Sequence, residues 1–334
     1  MAVAVTRADA CTRIVYESGT KDAIVGRTMD WMVDPNTDLW AFPKGMDRDG
    51  GVGAGSIKWT SKYGSVISSF YNVATVDGIN EAGLVANTLY LAEADYGDAK
   101  SSTKPEISVG AWTQYALDNF ATVAAAVDAL SKEPFVIVAP DLPGGAKATG
   151  HLALADASGD SAIFEYIGGK LVIHHGAKYT VMTNSPPFEQ QLALDAYWQD
   201  IGGSKFLPGT IRSPDRFARV SYYLNAAPHE NDPRLATATV FSLIRSVSVP
   251  LGIADPNQPN IAPTIWRTVA DTGARRYYFE STYSPTIFWV DLGKLNLAEG
   301  AKPAKLDLAG HPIIAGETSA KFVPAEPFKF LSSP

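Results

Sequence analysis

A single cysteine, Cys11, stands in a chain of 334 residues, directly behind Ala8-Asp9-Ala10. A lone thiol makes no intramolecular disulfide, and no second cysteine is present to share a metal. The Ala-x-Ala triplet has the small-residue pattern of a cleavage signal. A cut after Ala10 makes Cys11 the first residue of the mature chain, with a thiol and an α-amine on one carbon framework. A free α-amine has a pKa of about 7.7–8.0, so part of it is neutral near pH 7. It takes the thiol proton and later returns it to a leaving amine. That is the chemistry of acyl transfer from an amide.

Two charged residues are placed to help. Arg27 lies on the strand expected to pair with that of Cys11, where a guanidinium would favour thiolate. Asp30 follows three positions later and would accept hydrogen bonds from a freed α-amine. The five histidines (His151, His174, His175, His229 and His311) show no metal-ligand spacing and read as structural or surface residues. The Gly50–Gly55 run lacks the Lys-Ser/Thr of a phosphate loop and reads as a flexible surface loop. No cofactor or metal is expected.

The elements that must hold these residues are legible in outline. Cys11, Arg13 and Val15 alternate with Thr12, Ile14 and Tyr16, which predicts a strand. Ser18–Asp22 turns the chain, and Ala23–Arg27 returns to close a hairpin. The stretch from Asp30 to Gly55 reads as loop-rich. Ser65–Val76 reads as one strand, Asp77–Asn80 as a turn, and Leu84–Leu91 as the next strand. Helices are predicted over Val109–Phe120 and from an N-cap at Thr122 through Leu130. Strands return at His151–Ala155, Ala162–Tyr166, Leu171–His174 and Tyr179–Met182. Helices follow from Pro214 to Leu224 and over Ala236–Ser246. Arg276–Ser281 and Thr286–Leu292 form a late strand pair, and the Pro-rich tail is expected to wrap the surface. This order, without repeats or a low-complexity linker, predicts one layered α+β domain over 11–334.

Composition narrows the partners. Hydrophobic residues make up 46% and charged residues 19%, with a net charge of −7. There is no basic run, so nucleic acid and anionic membranes are not expected partners. No apolar run approaches the roughly 20 residues of a bilayer span. Thr6–Ala10 reads as the tail of a secretion signal whose upstream start is missing or as a short self-removed leader, and residues 1–10 are expected to be removed on maturation.

At this point a resemblance becomes specific. Cys11-Thr12-Arg13, Gly26 to Trp31, Asp77 to Leu84, Thr183-Asn184-Ser185-Pro186, and Leu207-Pro208-Gly209 with Asp215-Arg216-Phe217 occur in this order. Together they resemble the choloylglycine hydrolase family of N-terminal-nucleophile hydrolases, from Cys11 to about Leu292. The resemblance implies a four-layer αββα sandwich of antiparallel sheets and hydrolysis of a linear amide in a small-molecule substrate. It implies Cys11 as nucleophile and, through its amine, base. Arg27 and Asp30 would position and tune it. Asn184 and the backbone N–H of Tyr90 would donate to the oxyanion, and Arg216 would complete the charged site.

Aromatic residues bear on the acyl group. Trp31 and Trp40 flank a loop expected at the site mouth, with Tyr71 and Tyr90 lining it. The bile-salt branch of the family has asparagine at the position of Tyr90, and penicillin V acylases an aromatic residue. Only 32 positions (216 − 184) separate Asn184 from Arg216, without the insertion that bile salt hydrolases use in tetramers. This chain is similar instead to the Gram-negative penicillin V acylases. That group implies periplasmic export and cleavage of N-acyl homoserine lactones as well; without the insertion the family's tetramer contact is not expected, while a homo-oligomer still is. The alternatives are conjugated bile salt hydrolysis and a non-catalytic acyl-binding relative.

Overall fold

The computed structural model describes residues 11–142, 145, 147–203, 205–253, 262–284 and 286–332. The leader expected over residues 1–10 lies outside the described residues. Two sheets pack face to face. The first has seven strands, in the order Val181–Met182, Thr12–Glu17, Ala23–Asp30, Thr264–Asp271, Arg276–Ser281, Ile287–Asp291 and Gly316–Glu317. The second has nine: Lys170–His175, Ser161–Ile167, Gly150–Ala155, Val85–Tyr90, Ala74–Asn80, Ser65–Phe70, Leu39–Phe42, Ala304–Leu306 and Val323–Pro324. Neighbours within both sheets run antiparallel, except the final parallel pair of the first sheet.

Helices cover both outer faces. Helices α1 (Val109–Asn119) and α2 (Val123–Leu130) pack on the second sheet. After α3 (Phe188–Ile201), helices α4 (Ser213–Ala226) and α5 (Pro233–Arg245) pack on the first. The result is the expected αββα sandwich. Ser108 and Thr122 cap α1 and α2 by accepting from Gly110 N and Ala125 N, which fixes where each helix starts.

Period-2 alternation explains how the sandwich closes. In the hairpin, Arg13 stands opposite Arg27 and Ile14 opposite Gly26. The face with Arg13 and Arg27 looks into the second sheet: Arg13 donates to Leu154 O at 2.9 Å and Ser161 Oγ at 3.1 Å. The other face carries Gly26, where an added Cβ would meet Ile244 and Val240 of α5 at 2.6 and 2.7 Å. Gly78 does the same on the second sheet, under Leu117 of α1. Each helix layer thus approaches its sheet where the strand has no side chain.

Several expectations need correction. Ser65–Val76 is two strands, paired with each other as Ser65–Phe70 and Ala74–Asn80. Tyr71 and Asn72 make the turn, with φ of +52° and +49°. Neither glycine nor proline marks this turn, so the apolar pattern runs through it unbroken. Asp77–Asn80 is buried strand, and the chain turns at Glu81–Gly83 instead. Leu39–Phe42, in the region read as loop, is a buried strand. Thr264–Asp271 fills the middle of the first sheet but carries no alternation, because both its faces are covered. Helix α3 escapes a periodicity reading because its pattern is inverted. Gln191 and Asp195 are buried while Leu194, Tyr197 and Ile201 are exposed.

Gly78→Ala tests the close packing around this position, in the sheet and under α1. Its Cβ would lie 2.6 Å from the Val66 carbonyl oxygen, a backbone atom that cannot swing aside. The variant is expected to lose about 1–3 kcal/mol of stability in denaturant unfolding. Unchanged stability would mean that the neighbouring strand and α1 give way there without cost.

Candidate active site

Cys11 sits at the start of the Thr12–Glu17 strand, 2% exposed, between the two sheets. Its thiol donates to the Asp30 carbonyl at 3.9 Å. Its backbone N–H donates to Asn184 Oδ1. Its carbonyl accepts from Arg216 Nη1 at 2.8 Å. Residues far apart in sequence therefore hold every polar atom of Cys11.

Asn184 is the hub of this arrangement. Its Oδ1 accepts from both Cys11 N and Arg216 Nη2, the latter at 3.1 Å. Both partners are donors, so the oxygen must face them and the amide orientation is fixed. Its Nδ2 donates to the Tyr90 carbonyl at 2.7 Å. An amide carries two N–H hydrogens, and this bond uses one of them.

The backbone of Asn184 is held as firmly. Ser213 Oγ accepts from its N–H at 2.9 Å, and Gln191 Nε2 donates to its carbonyl at 2.9 Å. One residue earlier, the Thr183 carbonyl accepts from His151 Nε2 at 2.8 Å. His151 Nδ1 meets Glu165 Oε1 at 2.7 Å, and Phe188 N donates to the same carboxylate. Burial pushes the Glu165 carboxyl up, but His151, the Phe188 N–H and His174 together outweigh it and the net direction is down.

Arg216, fully buried on α4, also donates to Thr12 Oγ1 and to Ile211 O at 2.9 Å. Its Nη1 lies 3.8 Å from Asp30 Oδ2. Asp30 Oδ1 accepts from Thr264 Oγ1 at 2.6 Å, while Oδ2 has no hydrogen-bond partner among the described residues. Burial raises the Asp30 carboxyl to about 6 against the pull of Arg216 and Thr264. As part of a peptide bond the Cys11 nitrogen has one hydrogen, and that goes to Asn184; the bond expected to Asp30 is one from the freed α-amine of the cleaved chain.

Arg27 works on the second sheet. The ladder between Ala74–Asn80 and Val85–Tyr90 stops at the pair Asp77 and Asn87. Beyond it, the Val76 and Thr88 carbonyls accept from Arg27 Nη1 at 3.2 Å and Nη2 at 3.0 Å. The guanidinium takes the place of the missing rung and keeps the strands apart. Asp77, buried and 3.5 Å away, supplies the countercharge, and Trp266 covers the guanidinium at 4.8 Å. Arg27 does favour thiolate at Cys11, but burial is the larger effect and the net shift of the thiol is upward. The thiol expected to be thiolate-leaning thus rests protonated and needs a base.

Between the parted strands lies a cleft that reaches Cys11. Met29, Trp31, Phe70, Val109, Leu142 and Leu331 line it, with Tyr90 at the Asn184 side. Trp31 is fixed there by its Nε1, which donates to Tyr71 Oη at 3.0 Å, and by edge contacts with Phe70 and Tyr90. Tyr71 thus supports Trp31 from behind and is not itself on the cleft wall. Trp40 does not reach the site. Its Nε1 donates to Asn72 Oδ1 at 3.1 Å, and its ring packs on Phe42 and Phe328.

Cys11, Arg27, Asp30, Trp31, Tyr90, Asn184 and Arg216 therefore converge, while Trp40 and Tyr71 stand outside. Sequence reasoning missed Asp77, Thr264, Ser213, Gln191, the pair His151–Glu165, and Leu331. The pair had a signal: in the expected hairpin, with Leu152 opposite Phe164, His151 stands opposite Glu165. Leu331 had none, since only folding brings the tail to the cleft, tied by Leu331 N to Val73 O at 2.7 Å. Among the described residues no group of three or more His, Cys, Asp or Glu is arranged to hold a metal.

Known proteins are similar to this chain in sequence and fold. The family of linear amide C–N hydrolases, choloylglycine hydrolase family, matches residues 11–310. A penicillin V acylase from Pectobacterium atrosepticum is 51% identical, over 96% of this chain and 92% of its own length. The structure of a penicillin V acylase from Agrobacterium tumefaciens superposes with a TM-score of 0.91 at 53% identity, covering 96% of this chain and all of that one. A conjugated bile acid hydrolase from Clostridium perfringens shares the fold, with a TM-score of 0.77 at 20% identity over 91% of this chain and 98% of its own. The chain belongs to the choloylglycine hydrolase family and is an amidohydrolase of linear C–N bonds.

Proposed function

We propose that the protein removes the acyl group of penicillin V, with Cys11 as nucleophile and its own α-amine as base. The observation that carries this is the joint hold of Asn184 on the Cys11 nitrogen and the Tyr90 carbonyl, at the end of an apolar cleft. Loss of residues 1–10 turns the Cys11 nitrogen into an amine. That amine donates one hydrogen to Asn184 Oδ1 and keeps its lone pair for the thiol proton. The thiolate attacks the amide carbonyl, and negative charge develops on its oxygen. The second hydrogen on Asn184 Nδ2, with the Tyr90 N–H, meets that charge. The proton then passes from the α-ammonium to the leaving amine. Water, deprotonated by the same amine, cleaves the thioester and releases the acid.

Arg216 keeps Asn184 and the Cys11 carbonyl in place, and Asp30 balances Arg216 and the ammonium. Identities of 51% and 53% to two penicillin V acylases, against 20% to the bile acid hydrolase, favour penicillin V over conjugated bile salts. The apolar lining also suits a linear acyl chain. We therefore extend the proposal to N-acyl homoserine lactones, tested by release of homoserine lactone. Export to the periplasm and self-association complete the reading. The exposed apolar residues Leu194, Tyr197, Ile201 and Phe206 support self-association. Cell fractionation and the elution volume on a sizing column check these two.

Incubation with penicillin V is expected to yield 6-aminopenicillanic acid and phenoxyacetate. Cys11→Ala is expected to abolish turnover, and Asn184→Ala to lower kcat by about 10²–10³ with a small change in KM. Retained activity in Cys11→Ala would place the nucleophile elsewhere.

The pH profile tests Asp30. With its carboxyl raised to about 6, kcat/KM, already falling as the α-amine base is protonated, is expected to fall more steeply as pH drops through that value. Thr264 holds the value down, so Thr264→Val is expected to move the acid limb to higher pH. A limb that stays in place assigns it to another group.

A further inference from the structure

Three threonines stand on the wall of the acyl cleft. The Thr75 hydroxyl donates to Gln114 Oε1 at 2.9 Å, and the Thr88 hydroxyl is bonded to that of Thr113. Thr149 differs: its hydroxyl oxygen is buried and has no hydrogen-bond partner among the described residues. Buried polar groups in native proteins are nearly always satisfied, by protein, water or ligand. The other unpartnered donor on this wall, Arg27 Nε, belongs to the guanidinium already held between the parted strands.

The position of Thr149 says which part of a ligand it meets. It directly precedes Gly150, which stands opposite Tyr90, and its carbonyl accepts from Leu91 N at 3.4 Å. Tyr90 in turn accepts from Asn184 Nδ2. Thr149 therefore stands next to the Tyr90 backbone that Asn184 holds, on a cleft wall it shares with Phe70, Val109 and Leu331. The apolar lining also says what chemistry fits. A ligand bringing its own N–H or charge would leave it unpaired against these side chains. An ether or keto oxygen brings an acceptor and no donor.

We propose that Thr149 is a specificity-determining residue that donates a hydrogen bond to an oxygen atom carried by the acyl group close to its carbonyl. The preferred acyl groups are then aryloxyacetyl and 3-oxoacyl, ahead of their all-carbon counterparts. This rests on the acyl group occupying the cleft, as in the reaction above.

The test compares two amides of one amine, phenoxyacetyl and 3-phenylpropanoyl, which differ by O against CH₂. The quantity read is the ratio of their kcat/KM values. The inherent reactivity difference between the two carbonyls is common to all variants and cancels on comparison, as does any loss of active protein. Thr149→Val keeps the shape and removes the hydroxyl. It is expected to lower the oxygen preference by about 3–10-fold relative to the unaltered enzyme, through the phenoxyacetyl substrate. Thr149→Ser is expected to retain the preference, and Thr149→Ala serves if the valine variant does not fold. An unchanged ratio in the valine or alanine variant overturns the proposal. The same comparison is made by titrating phenoxyacetate and 3-phenylpropanoate into the protein. An enzyme inactive on both amides, whose binding ratio still depends on Thr149, would refute the penicillin V reading and leave this one standing. No dependence in either measurement would refute this one.

Discussion

A guanidinium buried between two β-sheets must find acceptors on both sides, and Arg27 does so by replacing a rung of the second sheet. Its bonds to Val76 O and Thr88 O come where the ladder stops, and the parted strands become the walls of the acyl cleft. The same residue is in register with Arg13, so two arginines of one hairpin reach into the opposing sheet. Asp77 neutralises Arg27 with help from Tyr277, Asn87 and Thr268, which all donate to its carboxylate. Breaking such a buried pair by removing one partner typically costs about 3–5 kcal/mol. The cleft and the stability of the sheet interface thus depend on one set of charges.

A second buried charge system lies at the other end of Cys11. Arg216, Asp30 and Asn184 hold the cysteine by its backbone and leave the sulfur facing the cleft. Burial keeps the thiol protonated despite Arg27, so the site stores an unreactive nucleophile until a base is present. In the proposed reaction that base is the α-amine, already placed by Asn184. In that reading the chemistry is switched on by a peptide-bond cleavage after residue 10.

Much of this was legible in the sequence where local pattern and global fold agree. The Thr12–Asp30 hairpin, helices α1 and α2, and the hairpin from His151 to Tyr166 all carry clear periodicity and turn residues. The convergence of Cys11, Arg27, Asp30, Asn184 and Arg216 followed from ordered motifs. What stayed hidden has specific physical causes. Thr264–Asp271 is covered on both faces, so its polar residues face helices and sheet alike and no alternation survives. Helix α3 presents apolar residues outward and buries Gln191, which holds Asn184. The turn at Tyr71-Asn72 adopts left-handed backbone without glycine. Trp40 was misplaced because chain proximity to Trp31 says nothing about which way a strand turns its side chains. The net direction of the thiol shift needed burial, which no spacing reveals.

The central claim is that acyl transfer runs through a Cys11 freed of the residues before it. The most direct measurement is the intact and peptide mass of the enzyme quenched during turnover of a phenoxyacetyl amide. The account predicts a chain that begins at Cys11, with one phenoxyacetyl group bound as a thioester on its first peptide. Turnover by a chain that still carries residues 1–10, or an acyl adduct on any other residue, would contradict it.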